Sequence, residues 1–141
     1  MPAKRRNPFK LRDFRGVDHE VIAKLAAVGI KNAEQMLTAG RTRESRTTLA
    51  KQVGIPLEAL LELVKLSDLS RLPGVKGIRA RLYYAAGVDT VEKLAAWEPE
   101  ALLAETSDFV QKTGFEGIAP LPKEVSSTIA NARKLPKLVE W

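Results

Sequence analysis

Slid along itself by 58 residues, the chain falls into register: Gly16 lands on Gly74, Val17 on Val75, Gly29 on Gly87, Ile30 on Val88, Asn32 on Thr90 and Met36 on Leu94. Residues that stop helices, residues that cap them and residues that bury coincide together, which turn composition alone seldom produces over such a length. The expected molecule is therefore two related bundles sharing one core. The copies differ at the hairpin between their first elements. Arg15-Gly16-Val17-Asp18-His19 stands where the second copy has Pro73-Gly74-Val75-Lys76-Gly77.

In the second copy Pro73 and Gly74 break any preceding helix, and Gly77 is expected to let an outside group approach the backbone closely. Ile78, Leu82, Ala85 and Ala86 then recur at helical spacing until Gly87 stops the helix. Donors at Val75, Lys76 and Gly77 would open that helix, where unpaired amides and the positive end of the macrodipole favour an anion. Lys76 and Arg79, three apart, would flank the opening, with Arg81 assisting. The same residues are equally consistent with plain turn chemistry and solvated helix ends. The pattern Pro-Gly-Val-Lys-Gly followed by small and apolar residues resembles a helix-hairpin-helix motif, and the resemblance implies a hairpin holding a nucleic-acid phosphate. In the first copy Asp18 and His19 would obstruct an anion, so that hairpin is expected to be structural.

The remaining segments read as helices. Asp18 is placed to cap a helix carrying Val21, Ile22 and Leu25. Asn32 and Gln35 have capping-box spacing, and Thr42 caps a helix to about Gln52. Leu57, Leu60, Leu61, Leu63, Val64 and Leu66 form the strongest apolar face, expected to fill the seam between the copies. A short connector helix is expected over 67–72. Pro99 opens a helix ending by Gly114, and a last one ends near Lys134. No segment reads as a strand. The expectation is an all-α fold of about ten helices, in two packed repeats that are each a pair of helix-hairpin-helix motifs. The divisions are a basic flexible arm (1–13), repeats at 14–69 and 70–134, and an extended tail (135–141) whose Trp141 packs across both.

Composition narrows the function. The chain has no cysteine and one histidine, His19, which excludes disulfides, zinc fingers, iron-sulfur clusters and thiol catalysis and disfavours a metal site. No apolar run approaches the roughly 20 residues of a membrane span, and no secretory signal is legible, so an intracellular address is expected. The net charge is +6, but Lys4, Arg5, Arg6, Lys10, Arg12 and Arg15 stand against Asp13 alone in the first 15 residues. A nearly neutral body thus carries a basic arm, suited to salt-sensitive, sequence-independent attraction to nucleic acid. Arg43 and Arg46 share a helix face and form an auxiliary basic pair.

From Phe14 to Trp141 the chain closely resembles a family of tandem helix-hairpin-helix proteins classed as a domain of unknown function. The carrying segments are Gly29-Ile30, Leu49-Ala50 with Gly54-Ile55, Leu60-Leu61, Asp68-Leu69-Ser70-Arg71, Ala86 to Val91, Leu94-Ala95, Pro99-Glu100 and Ala132 to Pro136. The individual hairpins look like those in the C-terminal domains of RNA polymerase alpha subunits and in DNA-repair proteins, which implies contact with DNA. No phosphate-binding loop and no triad can be assembled, so no catalysis and no cofactor are expected. Two readings follow. One is a protein contacting DNA phosphates without strong sequence preference, through Gly74, Val75, Lys76, Gly77, Arg79 and Arg81 and the basic arm. The other is a protein–protein adaptor or scaffold using the tail, the 114–122 loop or an exposed face.

Overall fold

A computed structural model describes residues 9–115 and 118–141. Among them are eight α-helices and one 3-10 turn, with a single isolated bridge, Lys10 to Asn32, as the only β pairing. The fold is all-α. The helices are α1 (His19–Ala27), α2 (Ala33–Ala39), α3 (Arg43–Val53), α4 (Leu57–Leu69), α5 (Gly77–Ala85), α6 (Val91–Ala96), α7 (Pro99–Thr113) and α8 (Pro122–Lys134).

Local chemistry explains the starts and stops. Asp18 accepts from the Glu20 amide, Thr42 from Ser45 and Thr90 from Lys93, while Asn32 and Gln35 complete a reciprocal box. The 58-residue register survives in the backbone. α1 and α5 are each nine residues long and begin at positions 19 and 77. Gly16 and Gly74 have φ of 73° and 80°, and Gly29 and Gly87 have 86° and 87°.

α4 is the organising helix: it packs against α2, α3 and α5, and it buries Leu60, Leu63, Val64, Leu66 and Leu69. Gly40, at the end of α2, permits the close approach, since a Cβ there would lie 2.5 Å from Val64 Cγ2. α8 plays the same part for α6 and α7 through Val125, Ile129 and Ala132.

Three expectations change. The separate connector helix over 67–72 does not form, because α4 runs on to Leu69 with Ser67 and Asp68 buried in its last turn. Leu57, expected on the apolar face, is 43% exposed, and Leu61 is only half-buried. Residues 9–13, expected to belong to a flexible arm, are built into the fold. Leu11 is fully buried, Phe9 and Phe14 pack with ring centroids 4.7 Å apart, and the Leu11 amide donates to Lys31 O at 3.0 Å. Lys4, Arg5 and Arg6 lie outside the described residues.

The tail after α8 is extended and docked. Val139 is buried, the Glu140 amide donates to Arg41 O at 2.8 Å, and Trp141 Nε1 donates to Glu92 Oε1 at 2.9 Å. Trp141 also accepts from Arg43 Nε through its main-chain oxygen, so it joins α3 to α6.

Candidate nucleic-acid interface

The 73–77 hairpin precedes α5, whose first residue is Gly77. Its N-cap, Lys76, has extended backbone and makes no side-chain cap, and the first turn holds no acidic residue. No hydrogen-bond acceptor for the Gly77, Ile78 and Arg79 amides is found among the described residues. Gly77, Ile78 and Arg79 line a surface cavity of about 560 Å³, whose walls also include Asp13, Arg15, Lys76 and Ile118. The corresponding start of α1 is closed, with Asp18 capping at 2.8 Å and Glu20 in the first turn.

The expected site residues divide into several roles. Gly74 and Lys76 are exposed, whereas Val75 is buried beneath the hairpin and its amide, expected as a free donor, donates to Leu72 O at 3.1 Å because the helix starts two residues later. Gly77 is buried, and a Cβ there would lie 2.6 Å from Asp13 O and 3.4 Å from Phe9 Cζ. The group that needs glycine at this position is thus the chain's own N-terminal segment. Arg79 is committed: Nε and Nη2 meet Glu124 at 2.6 and 3.3 Å, and Nη1 donates to Ile118 O. Arg81 is committed as well, donating to Glu62 at 2.8 Å and to Arg15 O at 2.6 Å, with its guanidinium 5.2 Å from the Tyr84 ring centroid. Both arginines pin α5 to its neighbours, and Lys76 is the exposed cation of the hairpin.

Among the auxiliary cations, Lys10 and Arg12 are exposed. Arg43 and Arg46 do not form a basic face. Arg46 is 4% exposed and donates to Gly40 O at 2.9 Å and Glu140 O at 2.8 Å, and its guanidinium lies 5.7 Å from the Trp141 ring. Burial, and secondarily the neighbouring Arg43 cation, pull its pKa below the ordinary arginine value. A surface-face reading of Arg46 fails because the tail covers it.

Sequence reasoning missed the partners that surround the hairpin: Asp13 and Phe9 against Gly77, Glu124 on Arg79, and Glu62 on Arg81. The register itself carried part of that signal. It places Leu11 on Leu69 and Phe14 on Leu72, all four of them buried, so the apolar register reaches back into the supposed arm.

Asp68 and Asp89 hold the approach to α6. Burial raises the Asp68 pKa against the opposing pull of Arg71, at 2.7 Å, and of the Val91 amide, at 3.2 Å. For Asp89 burial pushes upward too, but Lys65 at 2.6 Å and Lys93 at 2.8 Å outweigh it and hold the pKa below the usual aspartate value.

Fold and site together define a class: an all-helical protein whose candidate site is an uncapped helix start at an open surface hollow. Residues 15–135 match the family described as "Domain of unknown function (DUF4332)", and the chain belongs to that family. No curated protein and no solved structure matches it.

Proposed function

We propose that this is a non-catalytic binding protein of two helix-hairpin-helix repeats, which contacts DNA phosphates without strong sequence preference through the 73–77 hairpin, assisted by the basic N-terminal arm. The observation that carries the reading is the open start of α5, uncapped and free of acidic residues in its first turn, beside an exposed lysine. Backbone amides and Lys76 supply the contact, since amides at a helix start and a nearby cation recognise phosphate whatever the base sequence. Arg79 and Arg81 fix the position of α5 rather than meet the ligand. Asp13, on the cavity wall, opposes an anion, and with Arg79 on the same wall paired to Glu124 the attraction rests on the amides and Lys76. Among the described residues every buried or half-buried carboxylate is spent, Glu62, Asp68, Asp89 and Glu124 on a cation and Glu92 on the Trp141 Nε1 donor, which supports a non-catalytic role.

Titration of labelled duplex DNA at two salt concentrations tests this. Binding should weaken as salt rises, and Lys76→Glu should weaken it about tenfold and lower the log–log salt slope by roughly one. Unchanged binding by the variant would remove the hairpin from the mechanism.

The second reading, a protein–protein adaptor with no nucleic-acid role, draws on Ile118 and Leu121, 82% and 69% exposed. The tail does not support it, because Val139 and Trp141 are engaged with the fold.

A further inference from the structure

Behind the hairpin lies a second cavity, of about 310 Å³, between α2, the end of α4 and the chain around Val75. Its wall is apolar over Phe9, Leu37, Val75 and Leu138, with Leu138 45% exposed at its edge, and carries the charged side chains Glu34 and Arg71 as well. Ser67 also lines it. This residue is fully buried, and its hydroxyl has no hydrogen-bond partner among the described residues. The other polar groups of α4 nearby are spent, Ser70 Oγ on Ser67 O at 2.7 Å and Arg71 on Asp68. A buried hydroxyl without a partner is uncommon enough to need a cause, such as a ligand or an ordered water. Lys76 lines this cavity as well as the open hollow at the start of α5.

We propose that the two hollows together take one nucleotide with an unpaired base: the phosphate at the start of α5 beside Lys76, and the base in the second cavity against Phe9, Leu37 and Val75 with its polar edge toward Ser67. This rests on the phosphate reading of the hairpin and goes beyond it. A ligand that is anionic at one end and flat, weakly polar and hydrogen-bonding at the other satisfies both hollows at once, and a nucleotide has that chemistry. The cavity has the size of a small-ligand site. A base within a duplex has its edge paired and its faces stacked, so the ligand is a single strand or a free nucleotide.

The experiment compares, on the full chain, a labelled roughly 20-nucleotide single strand with the blunt duplex of the same sequence, by fluorescence anisotropy. The single strand should bind about tenfold more tightly, the scale expected of one accommodated base. Leu138→Trp, at the exposed edge, should fill the cavity and remove that preference while leaving duplex affinity unchanged. Ser67→Ala should cost the single strand a few-fold in affinity with Tm unchanged or raised, whereas a merely structural serine would lower Tm and both affinities together. Competition with AMP separates the sources. Displacement assigns the site to free nucleotides as well, and failure to displace assigns it to strands. Equal binding of strand and duplex, weakened alike by Lys76→Glu, overturns the base pocket and leaves the hairpin reading standing. Indifference of the single strand to both cavity variants leaves the cavity to water and also overturns it. Binding of neither nucleic acid overturns both readings.

Discussion

Gly77→Ala separates two explanations of the same glycine. If Gly77 exists to admit an external phosphate, alanine should harm binding and leave the free protein intact or better, since alanine exceeds glycine in a helix by up to about 1 kcal/mol. The structure points the other way. The φ of Gly77 is not in the left-handed region, so backbone strain contributes nothing. The new Cβ would stand 2.6 Å from the Asp13 carbonyl oxygen, about 0.8 Å inside the 3.4 Å at which ordinary contact begins. That oxygen is backbone, in the 3-10 turn anchored by fully buried Leu11, and cannot swing aside as a side chain would. Overpacking of this kind costs about 1–3 kcal/mol, and subtracting the smaller propensity gain available at a first helical position leaves a net loss of about 1–2 kcal/mol. In a chain of this length that is roughly 3–6 °C in Tm. Urea unfolding at 25 °C, with the midpoint reduced and the slope unchanged, reads it directly. Gly74 supplies the control. It has φ of 80° and nothing within 4 Å of its Cβ position, so Gly74→Ala meets strain without a clash, and Gly74→Asn should recover part of the loss. Gly77→Asn should recover none. A Gly77→Ala protein as stable as the parent, or more so, would refute the docking of residues 9–13 against α5.

Arg46→Ala should cost about 3 kcal/mol in thermal unfolding, because it leaves main-chain oxygens of Gly40 and Glu140 without their buried donor. Removing residues 138–141 should destabilise as well, and the Arg46→Ala cost should shrink in the truncated chain, because the two share contacts. Asp89, whose folded pKa is depressed, contributes stability above the ordinary aspartate range that is lost as pH falls through its lowered value. The advantage of the parent over Asp89→Asn in urea midpoints should therefore be flat near neutrality and shrink below about pH 4. An advantage that grew on acidification would contradict the Lys65 and Lys93 pairing.

What could be read from the chain was what depends on neighbours in sequence. Asp18, the Asn32–Gln35 box, Thr42 and Thr90 cap as their spacing implies, because a cap reaches only two or three residues. The leucines of α4 declared a core helix, and they are one, apart from Leu57 and Leu61. Partners across the fold were another matter. Arg79 with Glu124, Arg81 with Glu62, and Arg46 with the main chain of Glu140 are 45, 19 and 94 residues apart. No local pattern distinguishes such an arginine from a solvated one. The open helix start at Gly77 was therefore legible as a backbone feature, whereas both arginines expected to serve it, Arg79 and Arg81, are tied to other parts of the fold, as is Arg46 of the auxiliary pair.

The helix starts that lie 58 residues apart differ in how they are closed. The first amide of α2, Ala33 N, donates to Phe9 O at 2.7 Å, and its counterpart on α6, Val91 N, donates to Asp68 Oδ2 at 3.2 Å. A different acceptor stands at each, yet both donors are satisfied. α1 and α5 differ in kind, because Asp18 closes one and no side chain caps the other. Lys76→Asp would import the missing cap. Lys76 already has the extended backbone of an N-cap, with φ of −120°, so the carboxylate could reach the Ile78 amide as Asp18 reaches Glu20. A cap of this type stabilises by about 1 kcal/mol, or roughly 3 °C in Tm here, while filling the position a phosphate would take. Stability should thus rise as DNA affinity falls, the signature of a helix start left open for use. A variant that loses stability, or one that gains it and still binds duplex as the parent does, would show that the open start of α5 has no such purpose.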